Sequence, residues 1–413
     1  MRGGWLLLAL AACAPRSAAP PPSPQSTDPC RIATDSAGQL DTFRVALPES
    51  VDLSHAPVPT NDSERLLFRQ LFPTLVRIDC QGEIRPQLAD AWSHDSSAHI
   101  WRFSLRDTAP GSGRPPLQAA QVLTAWRYHP ELLKTMGIDS VVANARTLVI
   151  GVRDAPAEAA KLFAEPALAV TLDSGSTRPS GSGIRIQDVG STVLEFVAAS
   201  GDVRDLLDSG VDLLVTRDLG LVEYAAGHRD LRIFPLPWSR TYVLVQPGTA
   251  DSLRVAVNAD SVRGSLARDA VKADARAASG VKTTASCPSR APVPAARPVP
   301  RIVYLAGDSV ARGLAERVVA LDSQDPDLRA VGLPDSLLDE ALRTGSDRGY
   351  IVALSSVPEN ICSSGVPIPA GASIHPLIET RAHAIVRRGS PELTVDWDGV
   401  PRLAQPAVRG DRR

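Results

Sequence analysis

Gly307-Asp308-Ser309-Val310-Ala311-Arg312-Gly313 spells a serine-nucleophile pattern, G-D-S-x-x-x-G. A serine in that setting can attack an ester carbonyl, but only with a base to take its proton, usually a histidine three residues after an aspartate. The downstream histidines are His375 and His383, and Ala372 and Thr380 stand where those aspartates would be. Roughly a hundred residues follow the motif, too few for an esterase domain of ordinary size. The same residue types suit a helix cap, with Asp308 and Ser309 leading a helix that starts at Val310. The cap is the expected outcome, and no other serine sits in a G-x-S-x-G elbow. Gly181-Ser182-Gly183-Ile184 lacks the Lys-Ser/Thr of a phosphate loop and reads as a turn. No C-x-x-C, H-E-x-x-H or clustered His/Asp set is present, so neither a zinc centre nor a cofactor is expected.

Binding chemistry is better represented than catalysis. Trp238, Arg240 and Tyr242 lie on a strand-like run, Pro237 to Gln246. Arg240 could grip a carboxylate through two parallel N–H donors, with the aromatic rings as walls. Against this, Trp238 and Tyr242 could be core residues and Arg240 a surface one. Forty-four Lys+Arg against 46 Asp+Glu give a net charge of −2, without the basic field that nucleic acid demands. Hydrophobic residues at 44% supply a substantial core.

The N-terminus reads as an export signal. Met1-Arg2-Gly3-Gly4 is the positive region, Trp5 to Ala9 the apolar one, and Leu10-Ala11-Ala12-Cys13 a lipobox. Diacylation of Cys13 would anchor the chain by two acyl chains. The Pro-, Ala- and Ser-rich stretch from Ala14 reads as a tether. No apolar run of about 20 residues is present to span a membrane.

The positioning elements are legible further on. Thr60-Asn61-Asp62-Ser63-Glu64 is a run of capping residues ahead of Leu66, Leu67 and Leu71, so a helix should start there. Leu75 to Asp79 and Ile100 to Leu105 alternate as strands, with Gln81-Gly82 as a turn. A helix from Leu117 carries Val122, Leu123 and Trp126 on one face. Thr147 to Val152 reads as a strand, Ala157 to Phe163 as a helix and Val193 to Val197 as a strand. Leu219 to Ala226 follows as a helix and Leu231 to Leu236 as a strand. Ile302 to Leu305, Val310 to Leu321, Leu328 to Val331, Asp335 to Leu342 and Tyr350 to Leu354 give a βαβαβ pattern.

Four blocks in order, LFRQLFPTLVRID (67–79), IRPQLADAW (84–92), HIWRFSLRD (99–107) and PPLQAAQVLTAW (115–126), resemble the opening of the family 5 extracellular solute-binding proteins. That family serves peptide, nickel and opine ABC importers. LRVAVNAD (253–260) is similar to the family's entry to its second lobe, and 374–387 to its return strand. The chain is shorter than typical members. The resemblance implies an α/β, two-lobed periplasmic-binding-protein-like fold (type II, mixed sheets, hinge between lobes). Its implied boundaries are 1–13 signal peptide, 14–39 tether, 40–245 lobe I with a C-terminal return at 386–413, and 246–385 lobe II.

It further implies a non-catalytic receptor that closes on a peptide-like or other small polar solute and delivers it to ABC permease subunits. The receptor is expected as a monomer, exported and lipid-anchored in the cell envelope. The implied ligand contacts are Trp238, Arg240 and Tyr242 on the hinge-crossing strand. Where peptide-binding members carry an Asp, Val352 to Asn360 has none, and Glu359 with Asn360 could substitute. Beyond Cys13, four cysteines allow three disulfide connectivities. The pairing that keeps each bridge within one lobe is Cys30–Cys80 with Cys287–Cys362. The alternatives are a receptor-like envelope or sensing protein that no longer imports and, more distantly, an exported SGNH-type esterase using Ser309.

Overall fold

The computed structural model describes residues 28–32, 40–107, 117–127, 130–153, 157–170, 177–180, 183–189, 192–247, 266, 274–278, 299–321, 325–355, 366–369 and 371–403. The chain opens with β1 (Arg31–Ile32) and β2 (Thr42–Leu47), then α1 (Asp62–Leu71). The expected cap is in place: the Asn61 side chain accepts from the Glu64 amide at 2.8 Å, and Glu64 reaches back to the Thr60 amide at 2.8 Å. Leu66, Leu67 and Phe68 are buried on the helix's inner face.

A small hairpin of β3 (Val76–Ile78) and β4 (Ile84–Pro86) follows, turning through Gly82 at φ +83, where a residue with a Cβ would be strained. β5 (Ala89–Asp95), β6 (Ile100–Leu105), α2 (Ala119–Arg127), α3 (Pro130–Thr135), β7 (Ile138–Asn144) and β8 (Thr147–Val152) then build an antiparallel sheet in the order β5-β6-β8-β7. Its core holds Trp101, Phe103, Trp126, Leu148, Ile150 and Phe163. The Trp126 indole donates to the Leu168 carbonyl at 3.0 Å, so its polar edge is satisfied inside. The helix expected at 157–163 forms as a 3-10 helix, Ala157–Ala164. Glu165, which precedes Pro166, takes an extended conformation and ends it.

The rest of the described chain forms the main sheet: β9 (Thr177–Ser180), β10 (Gly183–Val189), β11 (Thr192–Ala198), α4 (Val203–Asp208), β12 (Leu213–Thr216), α5 (Leu219–Ala226), β13 (Leu231–Gln246), β14 (Ala275–Ala277), β15 (Val299–Leu305), α6 (Ser309–Leu321), β16 (Arg329–Leu333), α7 (Asp335–Thr344), β17 (Asp347–Ser355) and β18 (Ser373–Arg387). Eleven strands lie in the order β16-β15-β17-β13-β18-β12-β2-β11-β10-β9, with β14 on β18. β15-α6-β16-α7-β17 is the expected βαβαβ unit, with β15 parallel to both neighbours. The two strands read at 231–236 and 237–246 are one 16-residue strand. Pro235 and Pro237 cannot donate to a ladder, and the register slips between Pro235 and Trp238 instead of breaking.

β13 and β18 run antiparallel through the whole sheet and change core on the way. Leu236, Ala382, Ala384 and Val386 pack with Phe43, Val45 and α1. Tyr242, Leu244, Leu377 and Ile378 pack with Ile302, Leu314 and Ile351. The changeover falls at 238–242 and 379–381. A last sheet pairs β1 with β19 (Leu393–Val395) and β20 (Pro401–Leu403). The Cys30–Cys80 disulfide clamps this edge, while Cys13, Cys287 and Cys362 lie outside the described residues. Among the described residues no helix is long and apolar enough to cross a membrane.

Candidate binding site

The changeover of cores gathers the polar groups. A strand that leaves one apolar cluster and enters another must pass a seam where neither covers its side chains. Arg240 lies there, paired along the ladder with Ser355 and Thr380. Its Nη2 donates to Asp62 Oδ1 at 2.9 Å. Arg217, just after β12, donates through Nε to Asp62 Oδ2 at 2.9 Å and through Nη2 to Ser239 Oγ at 3.1 Å. Arg65, one turn along α1, stands 3.6 Å from the same carboxylate. Three guanidiniums thus converge on one aspartate, and the Asp62, Arg217 and Arg240 side chains are only 15–18% exposed.

The electrostatics follow from that crowding. Burial opposes the Asp62 charge, but Arg240, Arg217 and Arg65 outweigh it and hold its carboxyl far below the usual range. Burial likewise opposes the Arg240 charge, and Asp62 more than compensates. For Arg217 the balance goes the other way: burial, joined by repulsion from Arg240, lowers its pKa despite Asp62.

Tyr242, buried in the strand, points its hydroxyl at Asp308 and donates at 3.0 Å to Oδ2. Asp308 Oδ1 accepts from the Val310 and Ala311 amides at 3.0 and 2.9 Å, so it caps α6, as expected of the G-D-S stretch. Trp238 is half-buried, with the guanidiniums of Arg276 and Arg381 4.7 and 4.8 Å from its ring centre. Those two cations are matched by Glu379 at 2.6 Å and Asp274 at 2.8 Å. His383 faces Asp274 across 2.5 Å.

Of the residues read on this strand, Arg240 lies against Asp62, Tyr242 is buried against Asp308, and Trp238 lies by Arg276 and Arg381, with a register shift between Trp238 and Arg240. Glu359 and Asn360 lie outside the described residues. Asp62 and Arg217 were not singled out in the sequence. Asp62 reads as one more capping residue, and Arg217 is a lone cation between β12 and α5. Among the described residues no group of three or more His, Cys, Asp and Glu could hold a metal ion.

No protein-family model matches the chain. A protein of Haemophilus influenzae described only as a binding protein is 29% identical over 179 residues, 41% of this chain and 33% of that protein. The match thus spans about a third of the relative's length. Among solved structures, NikZ from Campylobacter jejuni in complex with Ni(L-His) superposes with a TM-score of 0.60 at 12% identity, over 87% of this chain and 97% of that one. The Escherichia coli murein tripeptide binding protein MppA gives 0.57 at 13% identity, over 87% and 97%. MoaA in complex with mannopinic acid gives 0.56 at 13% identity, over 84% and 94%. The mixed sheet and its long crossing strands are accordingly the periplasmic-binding-protein-like fold built by family 5 solute-binding proteins of the nickel- and peptide-binding type.

Proposed function

We propose that this chain is a non-catalytic, extracytoplasmic solute-binding lipoprotein that captures a small carboxylate-bearing solute, a peptide or another polar acid, and delivers it to an ABC importer. The supporting observation is the fold shared with solute-binding proteins, together with a pair of shielded guanidiniums, Arg217 and Arg240, gripping one carboxylate where β13 passes between two cores. Guanidiniums in this geometry suit a carboxylate, which they hold through charge-assisted hydrogen bonds. Histidine, a tripeptide and mannopinic acid, named with the structural relatives, are carboxylate-bearing too. In this reading 40–245 with 386–413 forms lobe I and 246–385 lobe II. Trp238, Arg240 and Tyr242, with Glu359 and Asn360, face the solute, and Cys13 carries the lipid ahead of a tether over 14–39. The protein works as a monomer against the permease subunits.

The test is a thermal-shift panel on the protein from Cys30 onward, with small carboxylic acids, di- and tripeptides and nickel–amino acid chelates. A ligand at a hundred times its Kd stabilises by about 2.7 kcal/mol. Closure of two lobes on it also shrinks the scattering radius. Arg240→Ala should weaken such a ligand by about 1.5–3 kcal/mol, the worth of a charge-assisted hydrogen bond. A panel with neither stabilisation nor compaction would favour a receptor-like envelope or sensing role.

A further inference from the structure

Two helix starts from different cores meet on β13. Asp62, the first residue of α1, takes a hydrogen bond from Arg240 Nη2 at 2.9 Å. Tyr242 follows Arg240 by two positions with no register shift between them, so both side chains leave the same face of the strand. The Tyr242 hydroxyl lies beside the Arg240 guanidinium and donates to Asp308 Oδ2 at 3.0 Å. Asp308 in turn caps α6 by accepting from the Val310 and Ala311 amides. The two helices pack apart: Leu66 and Leu67 of α1 sit with Phe43 and Val386, whereas Leu314 and Val318 of α6 sit with Ile302 and Ile351.

From these contacts we infer that Asp62, Arg240, Tyr242 and Asp308 form a polar strut, which ties the first turn of α1 to the first turn of α6 and fixes how the two cores sit against each other. The inference does not rest on the solute-binding reading. The guanidiniums of Arg217 and Arg240 are balanced within the chain by the carboxylates of Asp62 and Asp308.

The strands alone would leave that relation softer. The ladder of β13 with β18 shifts register between Pro235 and Trp238, between Trp238 and Arg240, and again after Tyr242. Such irregularities are where paired strands bend and twist. The strut spans this stretch with short, shielded contacts. A hydrogen bond at 3.0 Å is lost once it lengthens by about 0.6 Å, and a charge parted from its partner in a buried setting is costly. Arg217 braces the Asp62 end, donating to Asp62 Oδ2 at 2.9 Å and to Ser239 Oγ on β13 at 3.1 Å. Turning one core against the other must therefore break the strut at Asp62 or at Asp308, and a change that frees either helix start is felt at the other.

The experiment is hydrogen exchange read by mass spectrometry on the folded protein without solute, comparing the parent with Tyr242→Phe and Asp62→Asn. Tyr242→Phe removes the hydroxyl and keeps the buried ring. Phe103→Ala, in a third core, controls for general loosening. The expected result is that Tyr242→Phe speeds exchange about fivefold, the worth of one hydrogen bond, at the Glu64 and Arg65 amides of α1 as well as at Val310 and Ala311 of α6. Asp62→Asn should do the same at α6, and Tyr242→Phe decides alone should Asp62→Asn fail to fold. If α1 keeps the parent's rates in Tyr242→Phe, if α6 keeps them in a folded Asp62→Asn, or if Phe103→Ala speeds both helix starts as much, the strut is overturned. The solute-binding reading stands in each of those cases.

Discussion

Replacing Cys30 and Cys80 together by serine removes the crosslink that closes a loop across a sequence separation of 50. For a loop of that size the chain-entropy relation gives about 14 cal/mol/K, or about 4 kcal/mol at 25 °C, withdrawn from the unfolded ensemble. The folded state should change little, because Cys30 is held without the bond. Its carbonyl accepts from the Val395 amide at 2.8 Å, its amide donates to Asp28 at 2.9 Å, and β1 stays laddered to β19. Residual structure in the unfolded chain trims the effect, so a loss of about 2–4 kcal/mol is expected. Urea unfolding followed by tryptophan fluorescence measures it on three samples: oxidised parent, parent in reductant, and the double variant. The last two should coincide, with a slightly steeper urea dependence than the oxidised parent, because an uncrosslinked chain exposes more surface. A shift below about 1 kcal/mol, or alkylation of both thiols in unreduced protein, would refute the reasoning.

Phe103→Ala should cost about 3–5 kcal/mol, since its ring is fully buried against Trp101 and Phe163 and the hole cannot collapse; chemical denaturation reads it directly. Acid should weaken the fold through two histidines. Burial lowers the pKa of His375, and burial together with Arg381 outweighs Asp274 in lowering that of His383. The fold holds both below the ordinary 6.5, so the unfolded chain takes up protons first as pH falls through that value. The melting temperature should hold above that pH and drop beneath it, and replacing both by glutamine should flatten the slope. Cys13→Ser should move the protein from the detergent phase to the aqueous one; identical partitioning of variant and parent would remove the lipid anchor from the account.

Elements with strong local signals were legible from the sequence. The Thr60–Glu64 run announced α1, and alternation announced β6 and β8. The glycine turn at Gln81-Gly82 and the βαβαβ run from Ile302 also stand where expected. The misjudged segments are those where local and long-range preferences conflict. The strand read as ending at Leu236 continues, because pairing to β18 carries β13 past Pro235 and Pro237 with a bulge. At the candidate site, Trp238, Arg240 and Tyr242 could be proposed because they lie on one strand-like run, which is a local pattern. Asp62 and Arg217 could not, because 155 positions separate them and only the fold makes them partners. A buried ion pair leaves no trace in periodicity.

The pairing of β1 with β19 constrains how the protein can reach its destination. Arg31 finds Thr394, and Asp79 bridges to Asp396, so β1 waits for a strand more than 350 residues further along. β2 likewise waits for β11, some 150 residues on, as its parallel neighbour. Ladders that distant close slowly, because the intervening chain must be gathered first. On the export proposed above, the chain emerges from its N-terminus, so β1 would stand unpaired until β19 arrives, and β2 until β11 and β12 do. Completion of the β1 edge is thus set by the arrival of the C-terminal hairpin, and a chain stalled short of that hairpin would leave its N-terminal strand open to proteolysis.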